Sequence, residues 1–142
     1  MTSTHSETNA SSKSIRIVVA DDEPTILEAL RQLLGEAGYV VAGTASDGAT
    51  AVRLVEELQP DVVLVDYRMP DMTGIEVASA LRERAPEVGI VILSAYDDAS
   101  IQLNAERIRV GAYLVKGCSS RQIFGAIDEA IHLSAPLQRR RP

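Results

Sequence analysis

The 142-residue chain has a single cysteine, Cys118, so no disulfide can form within it. That fits a reducing compartment. No apolar run approaches the length of a membrane span. The N-terminal stretch MTSTHSETNASSK has no apolar centre, which argues against a secretory signal. Basic residues are in the minority: 14 Lys and Arg against 20 Asp and Glu give a net charge of -6. A basic footprint for nucleic acid is therefore not expected over the domain as a whole. There is no G-x-G-x-x-G after the first strand-like segment, which argues against a flavin or dinucleotide binder. Asp66 is followed by Tyr67 and Arg68 rather than set in D-x-D-x-T, which argues against a phosphatase of the haloacid dehalogenase kind. Internal repeats are also missing.

What is present is a regular alternation. With 46% hydrophobic residues the chain can build one packed domain. IRIVVA (15–20) is a continuous β-branched run, as expected of a strand buried on both faces. Pro24 opens a helix with Ile26, Leu27, Leu30, Leu33 and Leu34 at helical spacing, and Gly38 closes it. YVVAGT (39–44) is a second strand, followed by a helix opened by Asp47 and Gly48 and stopped at Pro60. DVVLVD (61–66) is a third strand; a helix over 74–84 follows. VGIVILS (88–94) is the fourth strand. The segment from Asp97 to Arg109 reads as a helix with a poor apolar stripe, since Ile101, Leu103 and Ile108 do not share one face. AYLVK (112–116) is the fifth strand, and Ser119 or Ser120 caps a last helix.

Five strands alternating with five helices predict an α/β fold: a flavodoxin-like, doubly wound (βα)5 parallel sheet of strand order 2-1-3-4-5. The expected organisation is a disordered leader over 1–13, one domain over 14–133 and a C-terminal tail or truncated linker over 134–142. Arg139, Arg140 and Arg141 in that tail read as solvated charge rather than a nucleic-acid contact.

In such sheets active groups gather at the carboxyl ends of the strands. There the sequence has Asp21 and Asp22, then Asp66, Ser94 and Lys116. Each has an ordinary reading. Asp22 could cap the helix at Pro24, Asp66 could begin a turn, and Lys116 could be surface charge. Their convergence on one rim is the signal. Three carboxylates repel one another, and a hard divalent cation relieves that; Mg²⁺ suits carboxylates, water and phosphate oxygens. Asp66 can then serve as a nucleophile toward phosphorus, with Lys116 and Ser94 on the transferred oxygens.

At this point the chain resembles the receiver domain of two-component response regulators, over roughly residues 14–133. The carrying motifs are VVADDEP, DYRMPDMTG, LSAYDD and YLVKG, in that order. The resemblance implies that Asp66 is the phospho-acceptor. It implies direct Mg²⁺ ligation by Asp22, Asp66 and the backbone carbonyl of Arg68, with Asp21 acting through a water. Ser94 matches the switch hydroxyl, Tyr113 the aromatic that turns with it, and Lys116 the phosphoryl-contacting lysine. Arg68 and Tyr96 match the variable positions that tune loss of the acyl phosphate.

The resemblance also implies a sensor histidine kinase as donor and a downstream protein or output domain as receiver of the signal. It implies a cytoplasmic location and a possible homodimer. It implies no enzyme activity beyond self-phosphorylation and autodephosphorylation; the acidic charge balance and the lack of a long apolar run predict no direct nucleic-acid binding and no membrane contact. The alternatives are a receiver-like scaffold that acts without phosphorylation, or the N-terminal fragment of a DNA-binding transcriptional regulator. Two departures from the pattern bear on switching: Gly117 follows Lys116 where proline is usual, and Gly111 sits close to the fifth strand.

Overall fold

A computed structural model describes residues 14–134, with side chains through His132. The expected leader and the tail from 135 onward, including the three arginines, lie outside the described residues. The chain order is β1 (Arg16–Ala20), α1 (Pro24–Glu36), β2 (Val40–Ala45), α2 (Gly48–Leu58), β3 (Val62–Asp66), α3 (Gly74–Arg84), β4 (Gly89–Ser94), α4 (Ala99–Arg107), β5 (Ala112–Val115) and α5 (Ser120–Ser134). All pairings are parallel, and the sheet order is β2-β1-β3-β4-β5. The expected elements are all present, with ends shifted by one or two residues.

Side-chain alternation divides the central strands between two cores. Val18, Ala20, Val63, Val65, Ile90 and Ile92 face α2 and α3. Ile17, Val19, Val62, Leu64, Val91 and Leu93 face α1 and α5. Every residue of β3 and β4 is buried, whereas β2 and β5, at the two edges, are mostly half-buried. This is why the middle strands read as unbroken apolar runs.

Helix starts follow local chemistry. Asp47 accepts from the Thr50 N–H at 2.8 Å. Thr73 and Glu76 form a reciprocal capping box on α3. Asp98 caps α4 through the N–H groups of Ser100 and Ile101. Of the two serines proposed for α5, Ser119 is the cap: its hydroxyl accepts from the Gln122 N–H at 3.1 Å. The reading of Asp22 as a cap for α1 is not met. Glu23 holds that position, with no side-chain bond.

The fourth helix is as thinly anchored as its sequence suggested. Ala105 is its only buried residue. Its C-terminal end is instead held by Arg82 of α3. That guanidinium donates to the carbonyls of Ile108 (3.0 Å), Val88 (3.1 Å), Pro86 (2.8 Å) and Arg109 (3.3 Å). Gly111 has its place because a Cβ there would come within 2.5 Å of Ala130 Cα on α5.

Candidate functional site

The topology brings the expected rim together. β1 and β3 are neighbours, so Asp21, Asp22 and Asp66 meet at their C-terminal ends; carboxylate oxygens of the three lie within 4.8 Å of one another. β4 lies between β3 and β5, which carries Ser94 and Lys116 to the same edge. The Lys116 N–H bonds to the Ser94 carbonyl at 2.7 Å.

Lys116 closes the cluster from above. Its Nζ lies 3.1 Å from Asp21 Oδ2 and 3.3 Å from Asp66 Oδ1. Asp21 is 1% exposed and Asp66 5%, so both carboxylates are held in a poorly solvated place. Burial pushes the Asp66 carboxyl up from its ordinary range, and the neighbouring Asp21 charge adds to this. Lys116 and the Arg68 N–H, at 3.4 Å, pull in the other direction without cancelling it. For Lys116 burial disfavours the cation, but hydrogen bonds and charge from Asp21 and Asp66 outweigh it, so its affinity for a proton rises.

The three aspartates are not equivalent. Asp21 is engaged through both oxygens, Oδ1 by the Glu23 N–H at 2.9 Å and Oδ2 by Lys116. The Asp22 side chain is exposed and has no hydrogen-bond or ion-pair partner among the described residues. Asp66 uses Oδ1 for Lys116 and the Arg68 N–H. Its Oδ2 has no protein partner, yet no fully shielded side-chain polar atom lacks a partner among the described residues. Solvent therefore reaches Oδ2, as a nucleophile requires. An all-oxygen donor set of this kind fits a hard divalent cation such as Mg²⁺.

Ser94 is fully buried, and its Oγ accepts from the Tyr96 N–H at 3.0 Å. The Tyr96 carbonyl accepts from the Tyr113 hydroxyl at 2.7 Å. The Arg68 guanidinium lies over the Tyr96 ring, 5.3 Å from its centroid. Thus Ser94, Tyr96, Tyr113 and Arg68 form one connected group at the mouth of the acidic cluster. Lys116 is followed by Gly117 at φ +96°, and the described residues contain no cis peptide.

Two polar residues escaped the sequence reading. Asp71, in the loop after β3, accepts from the N–H groups of Gly48 (2.7 Å) and Ala49 (2.9 Å) at the start of α2. Those bonds hold its carboxyl below the usual range. Arg82 is the other. Burial, then the charge of Arg109, lowers its proton affinity. The Asp71–Gly48 contact spans 23 residues and the Arg82–Ile108 contact 26, so neither of these has a local sequence signal.

Residues 17–128 match the response regulator receiver domain family. Transcriptional regulatory protein YdfI of Bacillus subtilis is 32% identical over 124 residues, covering 87% of this chain and 58% of that protein. The "Probable transcriptional regulatory protein NarL" of Mycobacterium tuberculosis is 36% identical over 120 residues, covering 84% and 56%. The chain thus spans about half the length of the curated relatives it matches. The solved receiver domain of NarL from that organism superposes with a TM-score of 0.79 at 35% identity, covering 84% of this chain and 98% of that one. No described helix is long and apolar enough to cross a membrane. Strand order, rim chemistry and family match agree: the chain belongs to the response regulator receiver domain family.

Proposed function

We propose that this domain is a phosphorylation switch whose acceptor is Asp66, with a sensor histidine kinase as donor. The observation that carries the reading is the Lys116 ammonium between two buried carboxylates, one of which keeps an open oxygen. Asp66 Oδ2 attacks the donor phosphorus. A new O–P bond forms as the donor's N–P bond breaks, and the electron pair leaves with the imidazole. Lys116 Nζ neutralises charge on the phosphoryl oxygens. Asp22, Asp66 and the Arg68 carbonyl would hold Mg²⁺, with Asp21 acting through a water. Bound there, the ion would neutralise phosphoryl charge. Hydrolysis of the acyl phosphate returns the carboxylate and inorganic phosphate, so the domain is not an enzyme in the ordinary sense.

The signal leaves through the group around Ser94. When the Ser94 hydroxyl turns to donate to a phosphoryl oxygen, its bond from the Tyr96 N–H is strained or lost. Tyr96 then shifts, and the Tyr113 hydroxyl loses its carbonyl partner. The thinly anchored α4 gives little resistance, so phosphorylation shifts a pre-existing equilibrium at α4, β5 and α5. Arg68 stacked on Tyr96 sits where it would tune water access to the acyl phosphate. The partners proposed are the kinase and a downstream protein or output domain, in a cytoplasmic setting, with a homodimer as one mode of response. The relatives named as transcriptional regulators, matched over about half their length, favour a receiver that works as part of a DNA-binding regulator. This domain itself is not proposed to touch nucleic acid.

Intact mass spectrometry after incubation with acetyl phosphate and Mg²⁺ tests the acceptor. One phosphoryl adduct is expected in the wild type and none in Asp66→Ala. An adduct that survives in Asp66→Ala places the acceptor elsewhere. If neither acetyl phosphate nor beryllofluoride changes the wild type, the domain acts as a phosphate-independent scaffold.

A further inference from the structure

The loop between Asp66 and Gly74 carries the Arg68 carbonyl, and it is closed at its base and tied at its tip. At the base, the Gly74 N–H bonds to the Tyr67 carbonyl at 2.7 Å, and Arg68 pairs with Thr73 in an isolated antiparallel bridge. The tip, Met69 to Met72, reaches across to the start of α2. There Asp71 accepts from the N–H groups of both Gly48 and Ala49. Met72 packs on the same spot so closely that a Cβ at Gly48 would lie 2.8 Å from its Cβ and Sδ. A helix start has N–H groups without intrahelical partners, and Asp71 supplies two of the acceptors from a different segment of chain. The third acceptor is local: Asp47 takes the Thr50 N–H.

We infer that Asp71 is a positioning residue for the divalent cation: by pinning the loop tip to α2, it holds the Arg68 carbonyl toward Asp22 and Asp66. The inference rests on the reading of the acidic cluster as a Mg²⁺ site. Asp71 itself touches no reacting atom. Its two bonds are bidentate and charge-assisted, so they fix the loop's direction as well as its distance. Removing a group that orients a metal ligand in this way typically costs roughly ten- to a hundredfold in affinity. Gly48 belongs to the same device, because a side chain there would push Met72 and the loop tip away.

The test is Mg²⁺ affinity measured by titration calorimetry on the unphosphorylated chain, with four variants. Asp71→Ala should weaken Mg²⁺ binding roughly tenfold, the lower end of what removal of an outer partner costs. Asp71→Asn, which keeps one acceptor, should lie between it and the wild type. Gly48→Ala should weaken binding in the same direction, although alanine is the better helix former. Asp47→Asn is the charge control. It removes a carboxylate from the same helix end but keeps the cap, and should leave affinity unchanged. The acetyl phosphate reaction of Asp71→Ala should need more Mg²⁺ but recover the wild-type rate at saturation. Equal affinities in wild type, Asp71→Ala and Gly48→Ala overturn the inference. So does an Asp47→Asn loss equal to that of Asp71→Ala, which would reduce the effect to net charge. Wild type that binds no Mg²⁺ overturns the inference together with the metal reading, whereas a wild type that binds Mg²⁺ but takes no phosphoryl group overturns the proposed function alone.

Discussion

Lys116→Met should destabilise the domain in the absence of divalent cations, and Asp66→Asn should recover part of the loss, the remainder coming from the unpaired Asp21. In the wild type one ammonium lies 3.1 Å from Asp21 and 3.3 Å from Asp66, both almost fully buried. Methionine retains most of the side-chain length and removes the charge. Breaking a buried ion pair from one side costs about 3–5 kcal/mol, because the remaining charge is left uncompensated. The lysine side chain is 26% exposed, so solvent screens part of this, and about 2 kcal/mol is the expected loss. For a domain between the 100- and 150-residue classes, that corresponds to a Tm lowered by roughly 6–10 °C.

The pH dependence has a definite sign. Burial and Asp21 raise the folded-state pKa of Asp66 above its unfolded value, so this group's ionisation costs stability as pH rises through that interval. Lys116 is one of the groups that offset the rise, so its removal moves the folded pKa further up. The deficit of Lys116→Met should be full at neutral pH and shrink in mild acid, as Asp66 takes a proton. Thermal unfolding in EDTA across this range, for both single variants and the double, measures it. A Lys116→Met protein as stable as wild type at neutral pH, or a deficit that Asp66→Asn leaves undiminished, would refute the reasoning.

Two further outcomes are expected. Mg²⁺ at a hundredfold excess over its Kd should stabilise the wild type by about 2.7 kcal/mol, and Asp22→Asn should abolish most of that gain while leaving stability in EDTA little changed; differential scanning calorimetry reads both. Arg82→Met should leave the carbonyls at the α4–β5 turn without their donor and cost roughly 2 kcal/mol, with α4 amides losing hydrogen-exchange protection before those of β3 and β4.

Much of the architecture was legible because it follows from short-range rules. Two-sided burial makes β3 and β4 continuous apolar runs, and Pro24, Gly38, Asp47 and Pro60 mark helix ends by local backbone chemistry. Alternation then leaves few topologies, and the strand-end positions of Asp21, Asp22, Asp66, Ser94 and Lys116 placed them on one rim. Sequence chemistry alone could not tell whether Asp22 capped α1 or faced the cluster. That depended on Glu23 taking the cap position and on Asp21 using both of its oxygens.

The sequence by itself therefore determined the fold class, the order of elements along the chain and the residue types at the site, because hydrophobic period and turn chemistry act over a few residues. Tertiary structure decided which carboxylates Lys116 bridges, which Asp66 oxygen stays open, and how Tyr96 links Ser94 to Tyr113. It also decided that Asp71 ties the loop to α2 and that Arg82 holds the end of α4. Apart from the Ser94–Tyr96 bond, those contacts join residues far apart in the chain, and hydrogen bonds of a few ångströms leave no period in the sequence; only the packed sheet and its helices bring the partners within reach.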